Sequence, residues 1–180
     1  MSAAAFESMS SWKQPLPAPA SDTRSELIGS IAVCIAAIRA GRVRVIVDGF
    51  TASGKTSLAH ELAAAIRRLG RPTVRASFDD FKKPWRDARE KGYDRTSGEG
   101  YYRNAPDFES ARELLLKPAG PSGSGTLVLC AHDPLTGDDL RHVSVDVPTD
   151  AVLIVDSVFG MRPEYDASGT SGSGSTCLRS

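Results

Sequence analysis

The chain has 180 residues, the length of one ordinary domain. Hydrophobic residues make up 41% and charged residues 24%, which suits a soluble globular protein with a real core. Lys plus Arg and Asp plus Glu number 22 each, so the formal net charge is zero and no global field draws in nucleic acid or an anionic membrane.

In chain order, residues 1–22 read as a flexible leader, rich in Ser, Ala and Pro. The leader lacks a basic start followed by an apolar stretch, so no secretory signal is evident. The longest apolar run, residues 27–38, falls short of the about 20 residues that a membrane span needs. Cys34, Cys130 and Cys177 are too few and too scattered for a disulfide framework or a zinc cluster. They imply reduced thiols and a cytoplasmic setting, with Cys34 as core filling.

Thr23-Arg24-Ser25-Glu26 fits a capping box that opens a helix over about residues 25–39. Residues 43–47 form a β-branched run typical of a buried strand. Leu58, Leu62, Ile66 and Leu69 then recur at helical spacing, and Gly70 closes that helix. Residues 72–78 read as a second strand, so the order strand–helix–strand implies a parallel pair with a crossover helix and an α/β fold. Residues 79–106 are polar, aromatic and irregular, an excursion that faces a substrate. Asp107 can cap a helix that runs to about Leu116, and residues 117–125 form a flexible loop. Residues 126–131 and 142–147 look like two strands of a hairpin with a long connection, and residues 151–156 like another buried strand. Residues 23–165 are read as the domain. The Gly/Ser-rich tail 166–180 cannot bury a core and is expected to be disordered.

The sharpest signal is Gly49-Phe50-Thr51-Ala52-Ser53-Gly54-Lys55-Thr56, a G-x-x-x-x-G-K-[ST] phosphate loop between a β-branched strand and an amphipathic helix. Its glycines let successive backbone N–H groups turn inward on phosphate oxygens, and the helix start adds its positive dipole end. Gly49, Ser53, Gly54, Lys55, Thr56 and Ser57 are therefore the nucleotide-binding candidates. Lys55 can reach the β and γ phosphates, and the Thr56 hydroxyl can ligate Mg²⁺.

A phosphate loop alone does not separate a kinase from a hydrolase or a switch. Asp79 and Asp80 stand where the second strand ends, at the sheet edge where ligands gather in α/β folds. Asp79 can take a hydroxyl proton or orient Mg²⁺, while the plainer alternative is a solvated acidic turn. Asp156 closes its strand in the position of a Mg²⁺-holding carboxylate, or serves as a cap. Tyr93, Tyr101, Tyr102, Arg103 and Asp107 gather rings and charges in the excursion. Of these, Tyr102, Arg103 and Asp107 are candidate substrate contacts, with loop anchoring and helix capping as alternatives. His132 and Asp133 read first as a surface turn, with lining of the same cleft as the alternative.

Four stretches, VRVIVDGFTASGKTSLAHELA, SFDDF, GEGYYRNAPDFESARELLLKP and AVLIVDSVFGMRPE, together resemble the uridine kinase-like branch of P-loop kinases, near phosphoribulokinase and nicotinamide riboside kinase. The resemblance spans residues 24–165. It implies a three-layer P-loop fold with a parallel sheet, and ATP- and Mg²⁺-dependent transfer to a small-molecule hydroxyl, first a nucleoside 5′-hydroxyl. By it, Asp79 and Lys55 are catalytic, Thr56 and Asp156 serve the metal, and Asp107 after Pro106 grips a ribose. Lys82 stands where nucleoside kinases proper usually carry an aromatic residue or His.

Similar kinases continue past Arg162-Pro163-Glu164 with a strand, an Arg-rich lid helix and a final strand, whereas 24 residues follow Asp156 here. A C-terminally truncated domain, open beside its phosphate-loop strand, is the expectation, with a non-catalytic ATP-binding fragment as the alternative function. No N-K-x-D motif supports a GTPase. The partner expected is a small molecule, with no nucleic acid and no membrane. The sequence leaves the oligomeric state open.

Overall fold

Alternating strands and helices form three layers in the computed structural model, which describes residues 3–13, 16–38, 41–166 and the backbone of 175–179. The strands are β1 (Ala5–Glu7), β2 (Val43–Asp48), β3 (Thr73–Ser77), β4 (Thr126–Leu127), β5 (Val145–Asp146), β6 (Val152–Ser157) and β7 (Ser175–Arg179). The helices are α1 (Asp22–Ala36), α2 (Lys55–Arg68), α3 (Trp85–Lys91), α4 (Gly98–Asn104) and α5 (Phe108–Ser110), the last running on as a π-helical turn over Ala111–Leu116. The main sheet has the order β1-β3-β6-β2-β7, and every pairing in it is parallel. β2 and β3 are thus parallel but not adjacent, because β6 runs between them.

Period-two alternation sends the two faces of the sheet into separate cores. Val43, Val45 and Val47 with Val152 and Ile154 pack on Leu62 and Ile66 of α2 and on Ile28 and Ile35 of α1. Val74, Ala76, Leu153 and Val155 pack on Leu115, Leu116, Leu127 and Phe81 on the other side. Each fully buried aliphatic side chain contributes about 1.5–3 kcal/mol, so both layers are held by apolar burial.

α1 begins three residues before the expected start, because the Ser21 hydroxyl, not a Thr23 box, caps it by accepting from Arg24 N. It ends at Ala36, and Arg39 lies outside the described residues. Cys34 is exposed, since Ile28, Ala32 and Ile35 define the buried face. The excursion after β3 is helical in two places. Gly92, at φ 68°, stops α3, and the Ser97 hydroxyl caps α4 by accepting from Gly100 N. The expected hairpin shrinks to a two-residue antiparallel ladder. Beyond Leu127 the chain turns inward, and Ala131 N and His132 N both donate to the carbonyl of Asp80.

The leader is corrected as well. β1 extends the sheet beside β3 with Phe6 against the core, so an edge of unpaired backbone groups is satisfied by residues expected to stay free. At the opposite edge β7, part of the tail expected to be disordered, lies parallel to β2 over Ser175–Arg179 and covers the strand expected to be open. Residues 167–174 and 180 lie outside the described residues.

Candidate active site

The C-terminal ends of β2, β3 and β6 meet at one edge of the sheet, where Val47 is in register with Asp156 and Ser77 is also in register with Asp156. From β2 the chain turns through the phosphate loop. Gly49 N donates to the Ser157 carbonyl and Ser53 N to the Phe50 carbonyl. Gly54 has φ 83°, a left-handed conformation that glycine adopts freely and a Cβ opposes, immediately before α2. Ala52 takes φ 62°, a conformation that costs a non-glycine residue about 1 kcal/mol or more. Lys55 is buried, and its ammonium donates to the Phe50 carbonyl at 2.5 Å, folded back across its own loop. Gly54, Lys55, Thr56 and Ser57 line a cleft of about 360 Å³, whereas Gly49 and Ser53 shape the loop without lining it.

Asp156 closes that cleft from β6. Its Oδ2 accepts from the Thr56 hydroxyl at 2.9 Å and from the Ser77 hydroxyl at 3.2 Å, and its Oδ1 is paired with Arg75 Nη2 at 2.6 Å. Because Thr56 gives its proton to Asp156, the lone pairs of its oxygen are available to a cation. Both donors are hard oxygens, which suits Mg²⁺. Among the described residues no group of three or more His, Cys, Asp or Glu could hold a metal ion. A Mg²⁺ held by Thr56 and Asp156 would need further ligands from outside the protein, as Mg²⁺ commonly has in phosphate and water.

Asp79 follows β3 in a 3₁₀ turn over Phe78–Phe81, started by the Ser77 hydroxyl accepting from Asp79 N. Its carboxylate is paired with Lys82 at 2.6 Å, and the Lys82 ammonium lies 5.0 Å from the centre of the Tyr101 ring. Burial opposes the Lys82 charge, but the neighbouring Asp79 outweighs it and leaves the Lys82 pKa above its ordinary value. Asp79, Lys82 and Tyr101 line the phosphate-loop cleft and also a second cleft of about 520 Å³ formed by the excursion. Asp79 thus stands on the wall shared by these two cavities, and it also lines a third, of about 220 Å³, with Thr56, Asp80 and Asp156.

Asp80 points the other way, into protein. It is 4% exposed, and its Oδ2 accepts from the Ser8 hydroxyl of the leader at 2.7 Å. Burial raises its pKa from 3.8 to about 6, against the pull of the serine hydrogen bonds. Between those values the folded protein holds a proton that the unfolded chain has lost, so stability falls as pH rises through the window. Asp80→Asn is therefore expected to raise stability by about 2–3 kcal/mol near pH 8 and by a small fraction of that near pH 4, measured by urea denaturation. Equal effects at both pH values count against this account.

The other expected substrate contacts do not converge on the clefts. Asp107 caps α5, accepting from Ser110 N at 3.1 Å and from the Ser110 hydroxyl at 2.7 Å, and meets His132 Nε2 at 3.2 Å. Burial would raise its pKa, but the His132 and Ser110 hydrogen bonds prevail and hold it at about 2. The capping alternative describes this carboxylate. Arg103 pairs with Glu99 on the exposed face of α4, and the Tyr102 ring meets Phe159 edge-to-face and carries the Arg162 guanidinium over it at 3.8 Å. His132 and Asp133, expected on a surface turn, are both buried. Asp133 holds the leader, accepting from Ser11 N at 2.7 Å and from the Ser11 hydroxyl at 2.6 Å.

Sequence reasoning missed Arg75. A charged residue inside an otherwise apolar strand was the available signal, since a buried guanidinium needs a counter-charge. It also passed over Trp12 and the basic residues of α3, whose place beside Asp79 depends on how the excursion folds back.

No family model matches the sequence, and no curated protein matches it. Solved structures do. A possible uridine kinase from Bacillus stearothermophilus is 26% identical, with a TM-score of 0.61 over 79% of this chain and 74% of that one. A candidate fructose transport system kinase from Silicibacter sp. TM1040 is 20% identical, with a TM-score of 0.51 over 81% of this chain and 68% of that one. The chain has the α/β fold of the P-loop kinases, as the resemblance read from its motifs implies. Among the described residues no helix is long and apolar enough to cross a membrane.

Proposed function

We propose that this chain is a kinase that transfers the γ-phosphoryl group of ATP to a hydroxyl of a small molecule. The observation that carries this reading is Asp79, a carboxylate on the wall common to the phosphate-loop cleft and the second cleft. A donor held in one cavity and an acceptor held in the other would meet at that side chain, which is the positioning that phosphoryl transfer requires.

In this reading the loop amides and Lys55 hold the donor phosphates, and Lys55 leaves the Phe50 carbonyl to do so. Thr56 and Asp156 would hold Mg²⁺, directly or through water, and the chemistry it would supply there is neutralisation of phosphate charge. The acceptor oxygen forms a bond to the γ-phosphorus. The bond from that phosphorus to the β–γ bridging oxygen breaks, and its electron pair leaves on ADP. The hydroxyl proton passes to the Asp79 carboxylate and then to water. A nucleoside 5′-hydroxyl is the acceptor that the resemblance suggests, and the possible uridine kinase among the solved structures supports starting there.

ADP release measured with uridine, cytidine, nicotinamide riboside and pantothenate tests the reading. Lys55→Ala is expected to lower turnover about 10²–10³-fold, the usual effect of removing one preorganised electrostatic contact. ATP is also expected to raise the thermal midpoint, as a ligand of the native state must. A raised midpoint with no ADP release above the Lys55→Ala level replaces this reading with a non-catalytic nucleotide-binding protein.

A further inference from the structure

The second cleft is chemically one-sided. Lys82, Lys83, Arg86, Arg89 and Arg95 line it against the carboxylates of Asp79 and Asp133, an excess of three positive charges in a chain whose formal net charge is zero. Both carboxylates are already engaged, Asp79 with Lys82 and Asp133 with four donors from Ser11, Leu135 and Thr136.

Arg95 makes the imbalance specific. It is 4% exposed, its guanidinium stacks over the Trp85 ring at 4.3 Å, and Nη1 donates to the Lys83 carbonyl. Its Nε is buried without a hydrogen-bond partner, and no carboxylate forms an ion pair with it among the described residues. Burial lowers its pKa from the ordinary value. Asp87 acts on Arg95 only through space, and a guanidinium withdrawn from water without a paired carboxylate is costly unless an anion completes the site. Lys83 and Arg89 also lack an ion pair among the described residues, and Arg86 approaches Asp87 only at 3.9 Å. Guanidinium forks match the oxygens of phosphate and carboxylate groups bidentately, and the aromatic rings of Trp85 and Tyr101 add apolar wall beside them.

We propose that the phosphoryl acceptor is an anion, a hydroxyl compound whose phosphate ester or carboxylate group sits among Lys83, Arg86, Arg89 and Arg95 while its hydroxyl reaches Asp79. The proposal takes the second cleft as the acceptor site and so rests on the kinase reading above. It departs from the neutral nucleoside that the resemblance suggests. The transfer balances as already written, with the anionic group unchanged by it.

Matched neutral and anionic probes test this on the full chain: ribose against ribose 5-phosphate, and glycerol against glycerate. Thermal midpoints are titrated with each probe at millimolar concentration, for the wild type, Lys55→Ala and Arg89→Ala. The anionic member of at least one pair is expected to raise the midpoint well above its neutral partner, and the pair that responds distinguishes phosphate from carboxylate. That binding should persist in Lys55→Ala, which excludes the phosphate loop as its source, and weaken roughly tenfold in Arg89→Ala, the loss of one charge-assisted contact. Arg89 is exposed, so its variant is expected to keep the midpoint of the wild type without ligand. Neutral probes that bind as well as anionic ones overturn the proposal, as does undiminished binding in Arg89→Ala. ADP release is read in parallel. Anion binding without Lys55-dependent turnover condemns the kinase reading alone, and turnover indifferent to acceptor charge condemns the anion site alone.

Discussion

Asp79→Asn is expected to lower kcat by about 10²–10⁴, the contribution of a positioned general base, and to leave ATP binding nearly unchanged. The amide keeps the shape of the side chain and loses its ability to take a proton. The side chain is 45% exposed, so its ion pair with Lys82 is worth about 0–1 kcal/mol, and the thermal midpoint should scarcely move. A large fall in rate without a matching fall in stability thus identifies the carboxylate with the chemistry. Single-turnover rates, with nucleotide affinity measured separately, make the distinction. An unchanged kcat would remove Asp79 from the reaction and leave the two clefts without a base between them.

Arg75→Met is expected to destabilise the protein by about 3–5 kcal/mol, because it strands the Asp156 carboxylate in the interior. The two side chains are 6% and 7% exposed and 2.6 Å apart, and Arg75 Nη1 also donates to the Ile154 carbonyl at 2.6 Å. The loss is mostly the cost of an unpaired buried charge rather than the net value of the pair. Arg75→Met combined with Asp156→Asn, which leaves neither charge of this pair, should therefore recover much of the stability while lacking the carboxylate proposed to hold Mg²⁺. Urea denaturation without nucleotide gives both values. A loss within about 1 kcal/mol for Arg75→Met is the behaviour of an exposed pair and contradicts the burial argument. A double variant no more stable than the single one contradicts it too.

These two residues show how far the sequence reaches. The phosphate loop was legible because its chemistry is local: eight consecutive residues carry the glycines, the lysine and the threonine, and the flanking patterns place them between a strand and a helix. Asp79 and Asp156 were legible as strand-end carboxylates, since a buried strand in a parallel sheet announces itself by a continuous apolar run. Arg75 was not, because its partner lies 81 residues away and only the pairing of β3 with β6 brings them together. Asp107 stayed ambiguous for the same reason. A carboxylate after a proline in an aromatic segment is compatible with a ribose contact and with a helix cap, and only the fold brings Ser110 and His132 to its oxygens, as a cap requires.

By itself, then, the sequence determined the fold class, the glycine-rich loop between β2 and α2 and the two carboxylates at the sheet edge, all of which follow from short-range pattern. Tertiary structure alone decided what surrounds them. The leader became a strand and a clasp on Asp80 and Asp133, because an unpaired sheet edge and two buried carboxylates recruit any nearby backbone and hydroxyl donors. The basic side chains of the excursion became the wall of a cleft ending at Asp79. A formal net charge of zero conceals that wall, for total charge carries no information about where opposite charges are placed.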